Sequence, residues 1–353
     1  MSNNDHGHRA NAPSGQPSPH ATVSLAHGSG GRLTRDLVRA VFGPRLSNPR
    51  LTEWGDSARL QQGGERLAFT TDAFVVHPLV FPGGDIGKLA VCGTVNDLSV
   101  AGAVPRFLSL AVILEEGLDV HLLEQIADSI AEAAAAAGVE IVTGDTKVVE
   151  KGKGDGMYIT TAGVGALRDV EPPRPTAVKP GDVVLTSGPL GDHGAVIMSL
   201  RSGIDLSSNL TSDCAPVVRL ADALYGAGVR VRFMRDPTRG GAAAVFAELA
   251  EESGLGLEVE EACLPFRPEV RGIAELLGLD PLTFACEGRL IAVVEEPSAE
   301  QALAALHALP EGREACRIGR IVKDHPGQAV MVTRYGSRRL IELPIAEQLP
   351  RIC

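Results

Sequence analysis

Residues 167–182 read LRDVEPPRPTAVKPGD, and this stretch constrains the fold more than any other feature of the sequence. Proline lacks the amide hydrogen that helix interiors and central strands both use, so so dense a cluster, with no hydrophobic period, reads as a linker. It divides the 353-residue chain into two parts, each long enough for its own core. Before it, RLAFTTD (66–72) reads as a strand entering an acidic turn and IGKLAVCGTVNDLSVAGA (86–103) as a helix with a small-residue face. RFLSLAVILEE (106–116) is an apolar strand, and VHLLEQIADSIAEAAAAAG (120–138) an alanine-rich helix stopped by Gly138. VEIVTGDT and GMYITTAGVGAL supply two more strands. After the linker, DVVLTSG, VRFMRD, RLIAVVEE and RIGRIVK read as strands, and DCAPVVRLADALYGAG and GGAAAVFAELAEESG as helices. The pattern is α+β: a leader over 1–22, an amino-terminal mixed-sheet domain over 23–166, a linker over 167–181, a carboxy-terminal α/β domain over 182–343, and a mobile tail over 344–353.

Composition narrows the partners. Hydrophobic residues make up 44% of the chain and aromatics only 4%, so the cores must be aliphatic. A formal net charge of -11 excludes a general nucleic-acid binder, which needs a cationic face for phosphates. The six cysteines form no CxxC and no zinc-like spacing. No apolar run is long enough to span a bilayer, and the polar start MSNNDHGHRANAPSGQPSPHA has no signal-peptide core, so the expected compartment is the cytoplasm.

Five aspartates stand where a strand ends or a helix starts: Asp56 in GDSARL, Asp72 in FTTDAFVV, Asp97 in VNDLSVAG, Asp145 in VTGDTKVV and Asp236 in MRDPTRGG. Singly, each reads as a cap or turn former. Together they can converge on a carboxylate cluster suited to a hard cation such as Mg²⁺ carrying a nucleotide. AHGSGGRLT (26–34) is a glycine-rich stretch able to wrap phosphates through backbone amides, though it is no Walker A sequence and reads equally as a flexible loop. GPLGDHG places His193 at a helix start, and FACEGRL places Glu287 before an apolar strand. The chain ends LPRIC, with a thiol at Cys353 whose pKa the neighbouring α-carboxylate raises.

The set AHGSGG, TTDAFVV, VNDLSVAGA, TGDTKVV, GPLGDHG, RDPTRGG, CEGRL and terminal LPRIC resembles the HypE family of hydrogenase maturation proteins over nearly the whole chain after the leader. That family lies within the ATP-binding superfamily of aminoimidazole ribonucleotide synthetase, selenophosphate synthase and thiamine-monophosphate kinase. The resemblance implies that fold, a homodimer paired through the amino-terminal sheets with residues 86–114 at the interface, and ATP with Mg²⁺ as cofactors. It implies that Cys353 receives a carbamoyl group from the carbamoyltransferase HypF. ATP then drives its dehydration to a thiocyanate, whose cyanide passes to iron on a HypC–HypD complex for [NiFe]-hydrogenase. It places Cys353, Lys147, Glu287 and His193 in the chemistry. Gly28, Gly30, Gly31, Asp72, Asn96, Asp97 and Thr146 fall to the nucleotide, and Asp56, Asp72, Asp97, Asp145 and Asp236 to the metal. The alternatives are a small-molecule synthase or kinase of the same superfamily, which would not need Cys353, and a non-catalytic adaptor, in which the acidic turns would only be caps.

Overall fold

The computed structural model describes residues 22–28, 31–46, 48, 50, 56–204, 209–344 and 352. The amino-terminal part opens with a 3-10 turn Leu25–Gly28, helix α1 Arg32–Leu37, a π-helical stretch Val38–Phe42 and α2 Gly43–Leu46. Strands β1 Ala58–Gln62 and β2 Glu65–Phe74 follow, then a hairpin of β3 Val80–Phe81 and β4 Gly84–Asp85, helix α3 Ile86–Val100, β5 Ala103–Glu115, α4 Val120–Ala137, β6 Glu140–Val149 and β7 Met157–Leu167. Five of these strands form one mixed sheet in the order β1-β2-β7-β5-β6. Only β5 and β6 run parallel, because α4 carries the chain back across the sheet between them; the other pairs are antiparallel.

Helix α3 is the spine of this part. The Asp85 carboxylate caps it by accepting from the amides of Gly87 and Lys88 at 2.8 and 2.9 Å. It is buried nearly all round, and two glycines make that possible. A Cβ on Gly93 would stand 2.9 Å from the Phe74 ring, and one on Gly87 would stand 2.7 Å from the Ile126 carbonyl of α4. The residues expected at an interface between copies, 86–114, therefore divide. Helix α3 is spent on the chain's own core, whereas β5 keeps Phe107 and Ile113 exposed. With Phe69, which shares their side of the sheet through the pairing of Phe69 and Phe107 with Val164, they give the sheet an apolar outer face.

The carboxy-terminal part contains β8 Val183–Thr186, α5 Asp192–Ser202, α6 Val218–Gly226, β9 Val231–Arg235, α7 Gly241–Ser253, β10 Gly256–Glu260, α8 Pro268–Leu277, β11 Ile291–Val294, α9 Ala299–His307, β12 Cys316–Val322, β13 Ala329–Val332 and β14 Arg338–Ile341. Its seven strands lie in the order β14-β13-β10-β12-β8-β11-β9. Val184, Phe233, Ile291 and Val293 pack with α7 on one face, and Val183, Leu185, Met234 and Ala292 pack with α6 and α9 on the other. Strands covered on both faces read as unbroken apolar runs, which is why DVVLT and IAVV stand out in the sequence. The helix expected over DCAPVVRLADALYGAG forms only from Val218, since Pro216 resists helical continuation upstream and Asp213 is engaged elsewhere.

The linker is packed down. Arg174 donates its amide to the Arg232 carbonyl at 2.8 Å, and Arg59 donates from Nη2 to the Pro173 carbonyl at 2.7 Å. One hydrophobic cluster runs from Phe74, Leu89 and Val95 through Ala195, Val270 and Phe284, joining the two parts, and it includes Ile352 of the tail. Among the described residues no helix is long and apolar enough to cross a membrane.

The α3–α4 contact gives a direct test. Gly87→Ala forces a methyl against the backbone oxygen of Ile126, which cannot swing away as a side chain would. The expected loss is about 1–3 kcal/mol of stability. Urea unfolding measures it, and an unchanged midpoint would mean that the helices are not packed as described.

Candidate active site

Four elements deliver carboxylates to one place. Asp56 precedes β1, Asp72 lies on β2, Asp97 on α3, and Asp236 directly follows β9 of the other part. One carboxylate oxygen from each of Asp56, Asp97 and Asp236 falls within 4.8 Å of the others. Asp72 borders the same small cavity, of about 30 Å³, as Asp97, Asp236, Arg239 and Glu287. The Thr70 hydroxyl lies 2.8 Å from Asp97 Oδ2, and Thr94 Oγ1 donates to Asp72 Oδ2 at 3.1 Å. Arg235, half-buried, closes the far side by contacting Asp56 Oδ2 at 3.2 Å and Glu248 Oε2 at 2.7 Å.

So many acids in one volume resist ionisation. Burial pushes Asp236 up to about 8, with the negative charge of Asp56 adding to it. Burial raises Asp97 well above the usual carboxylate range, reinforced by Asp72, Asp236 and Asp56. Glu287 is raised strongly too, first by burial and then by Asp236 and Asp213. Its Oε1 is buried without a hydrogen-bond partner. Hard oxygen donors at this spacing, with an orphaned acceptor beside them, match what Mg²⁺ and a phosphate-bearing ligand require.

The other residues singled out by sequence fall in three groups. Asp145, Thr146 and Lys147 lie on β6, exposed, with Lys147 Nζ 2.8 Å from Asp145 Oδ2. The sheet order puts β7 and β5 between β2 and β6, roughly 14 Å across. Within one chain the structure therefore does not bring these three to the cluster. Asn96 is fully buried and clasps the two parts together. Its Nδ2 donates to the carbonyls of Ala215 and Glu287, each at 3.2 Å, and its Oδ1 accepts from the Val217 amide at 2.8 Å. Gly28 is exposed at the end of the first 3-10 turn, and Gly31 is buried at the start of α1, where Arg32 donates its amide to the Pro344 carbonyl at 3.0 Å. Gly30 and Cys353 lie outside the described residues.

His193 sits at the start of α5, fully buried. Its Nε2 is 2.8 Å from the Ile352 carbonyl oxygen, and its Nδ1 is 2.8 Å from Ser212 Oγ. Asp213 Oδ1 accepts from the backbone amides of both His193 and Glu287 at 3.2 Å, so one buried carboxylate ties the tail-contacting histidine to the acid at the cluster. Sequence reasoning missed Ser212, Asp213, Arg235 and Arg239. The two arginines stood inside the motif MRDPTRGG, where cations flanking an acid were a usable signal; Ser212 and Asp213 gave none.

An amino-terminal mixed sheet joined to a three-layer carboxy-terminal unit, with carboxylates from both meeting at one site, defines the AIR synthase related class. The family's amino-terminal domain matches residues 54–167 and its carboxy-terminal domain residues 179–332. Within that class the chain is 51% identical over 337 residues to carbamoyl dehydratase HypE of Rhodobacter capsulatus, covering 94% of this chain and 98% of that protein. The chain belongs to the HypE family. Its structure is similar to that of HypE in complex with ATP, with a TM-score of 0.79 and 45% identity over 94% of this chain and all of that one (100%). It is also similar to the HypE–HypF complex, with a TM-score of 0.82 and 43% identity over 87% of this chain and 99% of that one.

The raised carboxylates predict how stability depends on pH. Between the ordinary aspartate value of about 3.9 and the value of about 8 at Asp236, the folded chain holds more protons than the unfolded one. Stability of the metal-free protein therefore falls as pH rises through that window. Thermal midpoints in chelator between pH 5 and pH 8 should drop, and Asp236→Asn should flatten the slope. Equal slopes for the two proteins would remove Asp236 from the cluster's titration.

Proposed function

We propose that this chain is an ATP-dependent carbamoyl dehydratase that converts an S-carboxamide on its own terminal Cys353 to a thiocyanate, supplying cyanide for the iron of [NiFe]-hydrogenase. The single observation that carries the reading is the placement of Ile352, the residue bonded to Cys353, buried at 1% exposure beside His193, which shares Asp213 with Glu287. A small-molecule synthase or kinase would have no reason to bury the end of its own chain there. The match to HypE relatives over 94% of the chain supports the same reading.

The chemistry follows from the donor set. The amide oxygen of the carboxamide is a poor leaving group, so it takes the γ-phosphoryl of ATP as one N–H proton is lost. Loss of the second N–H proton then closes the C≡N bond as phosphate departs with the C–O electron pair. ADP and phosphate are the by-products. Asp56, Asp72, Asp97 and Asp236 would hold Mg²⁺, which when bound offsets the charge on the phosphates. Glu287, in its ionised form, is the acceptor for the nitrogen protons: it lines the cavity shared with the cluster, and its buried Oε1 has no hydrogen-bond partner. Arg239, on the same cavity, stabilises negative charge developing at the transferred group.

Lys147, Thr146 and Asp145 enter this scheme through a second copy. The outer face of the sheet exposes Phe69 (41%), Phe107 (43%) and Ile113 (39%), with Lys147 beside Ile113, a surface of the kind that pairs subunits. A homodimer through that face makes the β6 residues available to the partner's site instead of their own. HypF delivers the carbamoyl group, a HypC–HypD complex takes the cyanide, and the setting is the cytoplasm.

Intact-mass spectrometry with HypF, carbamoyl phosphate and ATP tests the reaction. Glu287→Gln should gain the carboxamide on Cys353 and stall there, whereas the unaltered chain should go on to lose one water. Normal thiocyanate formation by the variant would remove Glu287 from the mechanism. The contribution of the second copy has its own test. Mixing Lys147→Ala and Asp97→Asn chains, each inactive alone, should restore about a quarter of full activity, since random pairing leaves one intact site in half of the dimers. No recovery on mixing would confine Lys147 to its own chain.

A further inference from the structure

Around His193 four groups form one unbroken hydrogen-bonded line, and the chemistry of its two ends fixes every proton in it. At one end the Cys214 amide can only donate, and it reaches Ser212 Oγ at 3.1 Å. At the other end the Ile352 carbonyl can only accept, and it lies 2.8 Å from His193 Nε2. Nε2 must therefore carry the ring proton. The imidazole is fully buried, and burial pushes its pKa down, so the ring is neutral and Nδ1 is bare. Nδ1 then accepts from the Ser212 hydroxyl at 2.8 Å, which is free to donate because its oxygen has taken the Cys214 amide. Phe81 meets the ring edge-on, 5.3 Å between centroids and 79° between planes, and Asp213 Oδ1 holds the His193 backbone amide. The ring has no remaining site for an incoming proton while the tail end is in place.

We propose that the Ser212–His193 pair is a latch for the tail: it grips the peptide that joins Ile352 to Cys353, and His193 acts as a positioning residue and not as the base. The carbonyl it holds is the acyl half of the peptide bond to residue 353, so the hydrogen bond acts one bond from the residue that carries the thiol. The buried Ile352 side chain supplies the other half of the grip, seated in the cluster that contains Cys92, Cys214, Phe284 and Ala285. The specificity is for a main-chain carbonyl after an aliphatic side chain, a combination that a free small molecule would not reproduce. The positional role deepens the dehydratase reading and rests on it only for the catalytic consequence.

Limited trypsin digestion, read by intact mass, measures the latch without partner or nucleotide. Cleavage after Arg351 removes the dipeptide Ile352–Cys353, and it requires buried Ile352 to leave its seat, so its rate follows the undocked population. His193→Ala should speed that cut roughly two- to ten-fold, the population change expected for one lost hydrogen bond. Ser212→Ala should act in the same direction by freeing the ring to place its proton on Nδ1. His193→Gln, whose amide still offers a donor near the Nε2 position, should restore slow cleavage. Cuts at Lys151 and Lys153, exposed in the turn between β6 and β7, serve as the control and should be unchanged. In the dehydration assay His193→Ala should slow conversion of a preformed carboxamide, with His193→Gln recovering part of the rate. Faster cutting at Arg351 and at both lysines together would show general loosening and overturn the latch. So would unchanged cutting at Arg351 in both alanine variants. A His193→Gln chain that docks its tail normally yet fails to dehydrate would make His193 the base instead. Because the digestion needs no turnover, it stands or falls separately from the dehydratase reading.

Discussion

Mutual repulsion among buried carboxylates is the constraint on which the rest of this structure depends. Asp56, Asp97 and Asp236 come within 4.8 Å of one another from separate elements, and Asp236 belongs to the other part of the chain. Left to themselves, such groups hold protons or move apart. They are kept together because their backbones are anchored independently of their charges. Asp97 rides on the buried α3, Asp72 on a strand at the sheet's interior, and Asp236 on the exit from β9 beside Arg235. A rigid aliphatic scaffold thus stores an electrostatic demand, the repulsion and lost hydration of these acids.

The two parts of the chain are inseparable from that demand. Asn96, one residue before Asp97, spends its whole amide on backbone groups of the other part, among them the carbonyl of Glu287. Asp213 gathers the amides of Glu287 and His193 onto one oxygen, and Arg289 lies 3.6 Å from its other one. The cluster, the candidate base and the seat of the tail are therefore indexed to each other by buried polar contacts, where a missing partner is costly. The result is a fixed relation between the carboxylate cluster and the seat of Ile352.

Much of this was legible in residues. Asp72, Asp97 and Asp236 stood out as acids, although only Asp236 sits at an element end while Asp97 lies inside α3 and Asp72 inside β2; Gly138 marked the end of α4, and DVVLT and IAVV announced strands covered on both faces. Two kinds of feature were not legible. β10, β13 and β14 are strands of four or five residues, too short to show a period, and β10 takes both its partners, β12 and β13, from far along the chain. The resemblance assigned Asn96 to the nucleotide, and nothing local revealed that its amide also clasps backbone groups at residues 215–217 and 287.

The sequence by itself determined the identities that chemistry demands: the recurring aspartates, a glutamate before an apolar strand, and a terminal cysteine behind LPRI. These are properties of side chains and their immediate neighbours, and they survive without knowing where anything lies. Tertiary structure decided which of them meet. It separated Asp145 and Lys147 from the cluster by two intervening strands, and it drew Ile352 against a histidine 159 positions away in the chain. Distance in sequence carries no information about such meetings, because sheet order and the packing of α3 set them. The physical reason is burial: only when the aliphatic core closes do these polar groups lose water and take one another as partners.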